Sequence, residues 1–247
     1  MSDLVSTIRE KYLYTLEQIA NAAHKGGRDP GEVRLVVVTK SQPTEIVQAA
    51  VEAGAQILGE NYHEEGVAKI QSLPQQSGVE WHMIGHVQSR KARLVADYFA
   101  LLHSLDSLKL AVRLDRFAVE NNRVLPVLLE FNVGGEASKS GWDASDESSW
   151  NALLPDVQAI LDLPNLRVRG LMTMPPLGLD PEDSRRFFQR LRLLRDSLAS
   201  HFPQGEWREL SMGTSADYTV AVEEGATLVR VGTAIVGERR LASEKEA

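Results

Sequence analysis

The sequence predicts an α/β protein built as a single (β/α)8 TIM barrel. Three observations lead there. Eight short β-branched runs alternate with helical patterns, the mark of parallel strands joined by crossover helices. No G-x-G-x-x-G string follows the first run, which weakens the case for a doubly wound dinucleotide-binding sheet. The 247 residues fit one barrel and hold no linker or low-complexity block, so residues 1–247 are read as one domain.

The chain opens with a helix over 2–25. Leu4, Ile8, Leu16, Ile19 and Ala23 recur at helical spacing, and Gly26-Gly27 ends the run. Residues 1–27 thus form a helical extension ahead of the first strand. Strands are expected at 34–39, 56–58, 81–84, 101–103, 125–132, 167–172, 209–211 and 227–231. Helices are expected between them at 44–53, 62–73, 89–98, 108–121, 150–161, 181–200 and 218–224. Residues 141–150 are acidic and serine-rich and read as a surface loop. In the helix over 181–200, Phe187, Leu191, Leu194 and Leu198 form the apolar stripe. Arg185, Arg186, Arg190, Arg192 and Arg195 lie off it and read as a solvated face rather than a docking site. Residues 241–247 are polar and read as a frayed tail.

Composition narrows the function. With no cysteine there is no disulfide, Cys-ligated zinc, iron–sulfur cluster or thiol nucleophile. A net charge of −7 suits nucleic acid poorly, because phosphate binding needs a basic surface. No stretch approaches the ~18–20 apolar residues of a membrane span. Asp3, Arg9, Glu10, Lys11 and Glu17 interrupt any apolar leader, so the expected compartment is the cytoplasm. His82 and His86 lie across a strand and the Gly85 turn, not on one helical face. They read as ordinary hydrogen-bonded histidines, and no metal is expected.

In such barrels chemistry sits at the C-terminal strand ends. Lys40 follows Leu35-Val36-Val37-Val38-Thr39, a run apolar enough for a buried strand. Desolvation and a nearby cation such as Arg230 would both lower its pKa, leaving an amine able to attack an aldehyde. A lysine that merely snorkels at a strand end explains the residue as well. Ser211-Met212-Gly213-Thr214-Ser215 and Val231-Gly232-Thr233 are glycine turns with hydroxyls, each ahead of a helix. They follow the last two strands, where barrels usually hold phosphate. A reactive lysine with a phosphate cup suggests pyridoxal 5′-phosphate, PLP. Arg230 shares a strand face with Gly232 and would meet the pyridine nitrogen. An always-charged donor there leaves that nitrogen unprotonated and weakens the ring as an electron sink. A Schiff-base aldolase for phosphorylated sugars shares the lysine and the cup but gives Arg230 less to do.

Seven ordered strings carry a family resemblance. They are Val37-Val38-Thr39-Lys40-Ser41-Gln42-Pro43, Gly59-Glu60-Asn61-Tyr62, the segment from Trp81 to Ser89, Glu136-Ala137-Ser138-Lys139-Ser140-Gly141, Leu171-Met172-Thr173-Met174, Ser211 to Asp217, and Val229 to Gly237. In this order they resemble the YggS/PROSC family of PLP homeostasis proteins, themselves similar to the barrel domain of alanine racemase. The resemblance implies PLP held as an aldimine on Lys40. It implies phosphate contacts from Ser211, Ser215, Gly232 and Thr233, a loop shaped by Met212 and Gly213, Arg230 at the pyridine nitrogen, and Asn61 near the cofactor. His86 belongs to a motif without an assigned step. Thr39 replaces the usual serine before the lysine, Gln42 a frequent second lysine, and Glu64 a common glutamine. Lys40 is thereby left as the lysine at this site.

The resemblance further implies a cytoplasmic monomer that serves vitamin B6 and amino-acid balance, with PLP as ligand and apo PLP-enzymes as acceptors. Strong catalytic turnover is not expected. The alternative is a PLP-dependent amino-acid racemase. That reaction needs a second acid/base, which alanine racemase takes from another domain of its partner subunit. A chain filled by one barrel is expected to lack it.

Overall fold

The computed structural model describes residues 2–73, 78–176 and 178–238. In β1 (Arg34–Val38), Leu35 to Val38 form an aliphatic run buried throughout. Such a strand belongs in a parallel sheet covered by helices. β2 (Ile57–Glu60), β3 (Glu80–Met83), β4 (Leu101–Leu105) and β5 (Leu125–Asn132) follow. β6 (Trp142–Asp143), β7 (Leu166–Met172), β8 (Glu209–Ser211) and β9 (Leu228–Val231) complete the set. The order is β4-β3-β2-β1-β9-β8-β7-β5, and β4 also pairs with β5, so these eight strands close into a barrel. Every pairing is parallel. The expected barrel is therefore the fold.

Alternate side chains along each strand point in and out. Val36, Ile57, Leu101, Leu128, Met172 and Leu228 pack together inside the barrel. Their neighbours Leu35, Val37, Leu102, Leu129, Leu171 and Val229 pack outward into the larger core. The covering helices are α2 (Thr44–Ala53), α3 (His63–Ser72), α4 (Ala92–Tyr98), α5 (Leu108–Glu120), α6 (Leu154–Leu161), α7 (Pro181–His201), α8 (Tyr218–Glu223) and the single turn α9 (Thr233–Val236). Ahead of the barrel, α1 (Ser2–Lys25) packs on α2, α8 and α9. Arg28 donates to the carbonyls of Val222 and Ala226, both at 2.8 Å, and so ties this extension to α8.

Several boundaries differ from the sequence reading. The expected strands end at Leu58 and His103, yet the ladder continues through Gly59-Glu60 in β2 and Ser104-Leu105 in β4. The helices expected at 89–98 and 150–161 begin as 3₁₀ turns, Ser89–Lys91 and Glu147–Leu153. The expected loop over 141–150 contains β6, which pairs with Phe131 and Asn132 of β5. Trp142 drives this: its ring lies 5.8 Å from that of Phe131, and its indole N–H donates to Asp156 at 2.9 Å. Three of the five α7 arginines are not simply solvated. Arg185 pairs with Glu182, Glu223 and Glu224, Arg190 donates to the Val133 carbonyl, and Arg192 pairs with Glu224. They fasten α7 to its neighbours. The tail at 241–247 lies outside the described residues. Among the described residues no helix is long and apolar enough to cross a membrane.

Candidate functional site

The end of β1 is tightly held. Thr39 is buried and donates from its hydroxyl to Glu60 Oε1 at 2.6 Å. Lys69 of α3 donates to the Thr39 carbonyl at 2.6 Å, to Glu60 Oε1 at 2.8 Å and to Glu65 Oε1 at 2.6 Å. The Ser41 N–H donates to the same Glu65 oxygen at 2.7 Å. Lys40, partly buried, thus sits between two residues whose backbones are anchored to one ionic network. Burial pushes the Glu60 carboxyl up, and Lys69 opposes that shift. Sequence reasoning left Lys40 alone at this strand end and missed Lys69. An ammonium has three donors, and Lys69 has three acceptors, so it is a strut rather than a rival nucleophile. The visible signal was the Glu65–Lys69 spacing on α3.

The β2 and β3 ends meet backbone to backbone. A Cβ on Gly85 would lie 2.3 Å from the Asn61 carbonyl oxygen, so only glycine admits this contact. The contact fixes Asn61, whose buried Oδ1 has no hydrogen-bond partner.

The two glycine turns also touch. The Gly232 N–H donates to Ser215 Oγ at 3.2 Å. Gly213 has φ of +91°, and a Cβ there would lie 2.6 Å from Ala221 Cβ. Asp217 accepts from the Thr214 N–H and hydroxyl at 2.7 and 3.0 Å, which closes the loop. Thr233 opens α9 and is exposed, and Met212 is buried in the outer core. A Cβ on Gly232 would lie 3.1 Å from the Val38 carbonyl oxygen, so this turn abuts the strand that leads to Lys40.

Ser211 has partners that its motif does not announce. It pairs in the ladder with Met172 and Leu228, both inside the barrel. Its hydroxyl accepts from Arg230 and meets His103 Nδ1 at 2.7 Å. Its hydroxyl is thus already engaged by Arg230 and His103 inside the barrel. Arg230 is 4 % exposed, and also donates to the Thr173 carbonyl and the Met174 sulfur, both at 2.9 Å. Burial lowers its pKa to about 10, while Asp217 and Glu130 support its charge.

Glu130 was not foreseen either. It lies on β5, opposite β1 in the closed barrel, and its buried Oε2 has no hydrogen-bond partner. Burial, with Asp106 adding to it, raises its pKa to about 7 against the pull of Arg230, His86 and Lys139. His86 is half exposed and pairs with Asp106 at 2.8 Å. Lys139 donates to the Met174 carbonyl at 2.9 Å and pairs with Glu136 at 3.0 Å.

The alanine racemase N-terminal domain family matches residues 15–240. A pyridoxal phosphate homeostasis protein of Vibrio alginolyticus is 40% identical over 238 residues, which cover 95% of this chain and 99% of the relative. One from Escherichia coli is 37% identical over 227 residues, 90% of this chain and 93% of that one. The PipY protein of Synechococcus elongatus, solved with PLP bound, superimposes with a TM-score of 0.75 at 37% identity, covering 89% of this chain and 100% of PipY. An alanine racemase of Clostridium difficile shares the fold at a TM-score of 0.65 and 14% identity, with 94% of this chain matching 61% of the racemase chain. On these matches the chain belongs to the pyridoxal phosphate homeostasis proteins, within the alanine racemase N-terminal domain family.

Proposed function

We propose that the chain binds PLP at the C-terminal mouth of its barrel and holds it for vitamin B6 homeostasis. The carrying observation is a register. Val36 of β1 pairs with Arg230 of β9, and Gly232 abuts Val38, two residues before Lys40, so both turns belong to one rim above a buried guanidinium. A reactive amine, a turn of backbone N–H groups and a fixed cation are the three handles PLP requires. The buried, unpartnered Asn61 Oδ1 fits the same group, since it needs a donor.

When bound, PLP supplies an aldehyde carbon, a phosphate and a pyridine ring. In this reading Lys40 holds the aldehyde carbon covalently. Ser215, Gly232 and Thr233 receive the phosphate, and Met212 and Gly213 hold the shape of that loop. Arg230 donates to the pyridine nitrogen, and Ser211 acts through Arg230. Asn61 lies beside the cofactor. A charged donor at the ring nitrogen suits retention of the cofactor better than carbanion chemistry. The chain then works as a monomer in the cytoplasm and passes PLP to apo-enzymes.

The test is borohydride reduction of PLP-loaded protein followed by peptide mapping. One pyridoxyl group on Lys40, absent in Lys40→Ala, is the expected result. A label on another lysine, or none, overturns the reading.

A further inference from the structure

A line of buried polar groups runs down the barrel from Arg230. Ser211 Oγ accepts from the guanidinium and lies 2.7 Å from His103 Nδ1. His103 Nε2 lies 2.9 Å from His82 Nδ1, and His82 Nε2 lies 3.2 Å from Glu80 Oε2. Both histidines and Ser211 are at most 1 % exposed, whereas the Glu80 side chain is 53 % exposed. Glu80 opens β3, so the line ends at the mouth opposite Lys40.

The polarity of this line follows from its ends. A guanidinium only donates and a carboxylate only accepts. Glu80 is held below the usual carboxylate range, first by its bond from His82, so it is ionised and His82 carries its proton on Nε2. Burial lowers the pKa of both rings, His103 well below the ordinary value, so each is neutral and keeps one proton. His82 Nδ1 is then bare and accepts from His103 Nε2–H. His103 Nδ1 is bare in turn and accepts from the Ser211 hydroxyl. Ser211 Oγ is left to accept from Arg230. The charged groups facing the two rings are Glu80, Glu209, Arg34 and Arg230.

We propose that His103, relayed by His82 to Glu80, is a positioning residue: through Ser211 it fixes the orientation of Arg230 toward the pyridine nitrogen of PLP. The guanidinium cannot rotate away without leaving the Ser211 oxygen, His103 Nδ1 or both unsatisfied in a dry interior. The second half of this inference rests on the cofactor reading; the proton arrangement does not.

Two measurements separate the halves. The first uses wild-type protein labelled with ¹⁵N-histidine, without added PLP, near pH 7.5. Long-range ¹H–¹⁵N spectra are expected to show His82 and His103 as neutral Nε2–H tautomers. A cationic ring, or an Nδ1–H tautomer at either position, overturns the proposal whatever the protein binds. The second compares PLP-loaded wild type with His103→Leu, His103→Gln and Glu80→Gln, the last altering only the partly exposed end. The pH titration of the bound-PLP absorbance is expected to shift in His103→Leu and, in the same direction, in Glu80→Gln. His103→Gln, which can still accept and donate, is expected to return toward wild type. Loss of the Ser211–His103 hydrogen bond, which orients the acceptor for Arg230, is expected to weaken PLP retention about five-fold in His103→Leu. Variants that bind PLP with the wild-type titration and affinity overturn the positioning role. Wild type that takes up no PLP, with the tautomers as assigned, overturns the cofactor reading and with it the role toward PLP.

Discussion

Replacing Lys69 by methionine keeps most of the side-chain volume and removes the ammonium that holds Glu60, Glu65 and the Thr39 carbonyl. Both partners of the Lys69–Glu60 pair are deeply buried, with side chains 6 % and 0 % exposed. Breaking one side of such a pair costs about 3–5 kcal/mol, because the remaining carboxylate is stranded without its counter-charge. The orphaned carbonyl adds about 1 kcal/mol. Proton uptake by Glu60, whose pKa is already raised, limits the cost, so a net loss of about 3 kcal/mol is expected near pH 8. In urea, with a slope of about 3 kcal/mol/M, the unfolding midpoint should fall by about 1 M. The pH dependence has a definite sign. A carboxyl with a raised folded-state pKa binds its proton more tightly folded than unfolded, so the variant should regain stability as pH falls from 8 toward 5. Lys69→Met combined with Glu60→Gln removes both charges and should recover more than half of the loss. A single variant within about 1 kcal/mol of wild type, or a double variant no better than the single, refutes the reasoning.

Three further outcomes are expected. Glu130 has a folded-state pKa near 7 against an ordinary 4.5, so stability should fall as pH rises between these values, by about 3 kcal/mol at most. Glu130→Gln should flatten that slope in urea titrations at pH 5 and pH 8; an unchanged slope counts against a buried, unpaired carboxyl. Gly213→Ala puts a Cβ at φ +91° against Ala221 and should cost about 1–3 kcal/mol by thermal or urea unfolding, with weaker PLP retention. In equilibrium dialysis, Ser215→Ala with Thr233→Val should lose more PLP affinity than Arg230→Gln, because the phosphate carries most of the ligand's charge. A larger loss in the arginine variant contradicts the assignment of the cup.

What the sequence made legible follows from how local each signal is. β5 and β8 have the expected bounds because turn residues flank both. Lys40, Arg230 and Gly232 could be placed together because barrel topology puts strand ends on one rim. The motif at Ser211 shows a hydroxyl beside a glycine turn, but not that Arg230 and His103 engage it inside the barrel. His82, His103 and Ser211 meet only because the sheet closes, and Ser211 lies 108 positions from His103. Lys69 and Glu130 were missed for a related reason. Each looks like an ordinary surface charge until the fold removes its water. β6 spans two residues and depends on Trp142 finding Phe131, which no periodicity announces.

The closure that joins β1 to β9 has a temporal consequence. Arg34 pairs with Leu228 and Val37 with Val231, nearly two hundred residues apart, and α1 rests on α8 and α9. During synthesis, therefore, the first strand emerges long before its second neighbour exists. One edge of β1, and the apolar face of the leading helix, must wait in solvent or in non-native company until the last units leave the ribosome. Contacts of such long sequence separation slow folding. The rim that carries Lys40 and Gly232 is the seam completed by this closure, so the site forms when β1 and β9 meet and not before.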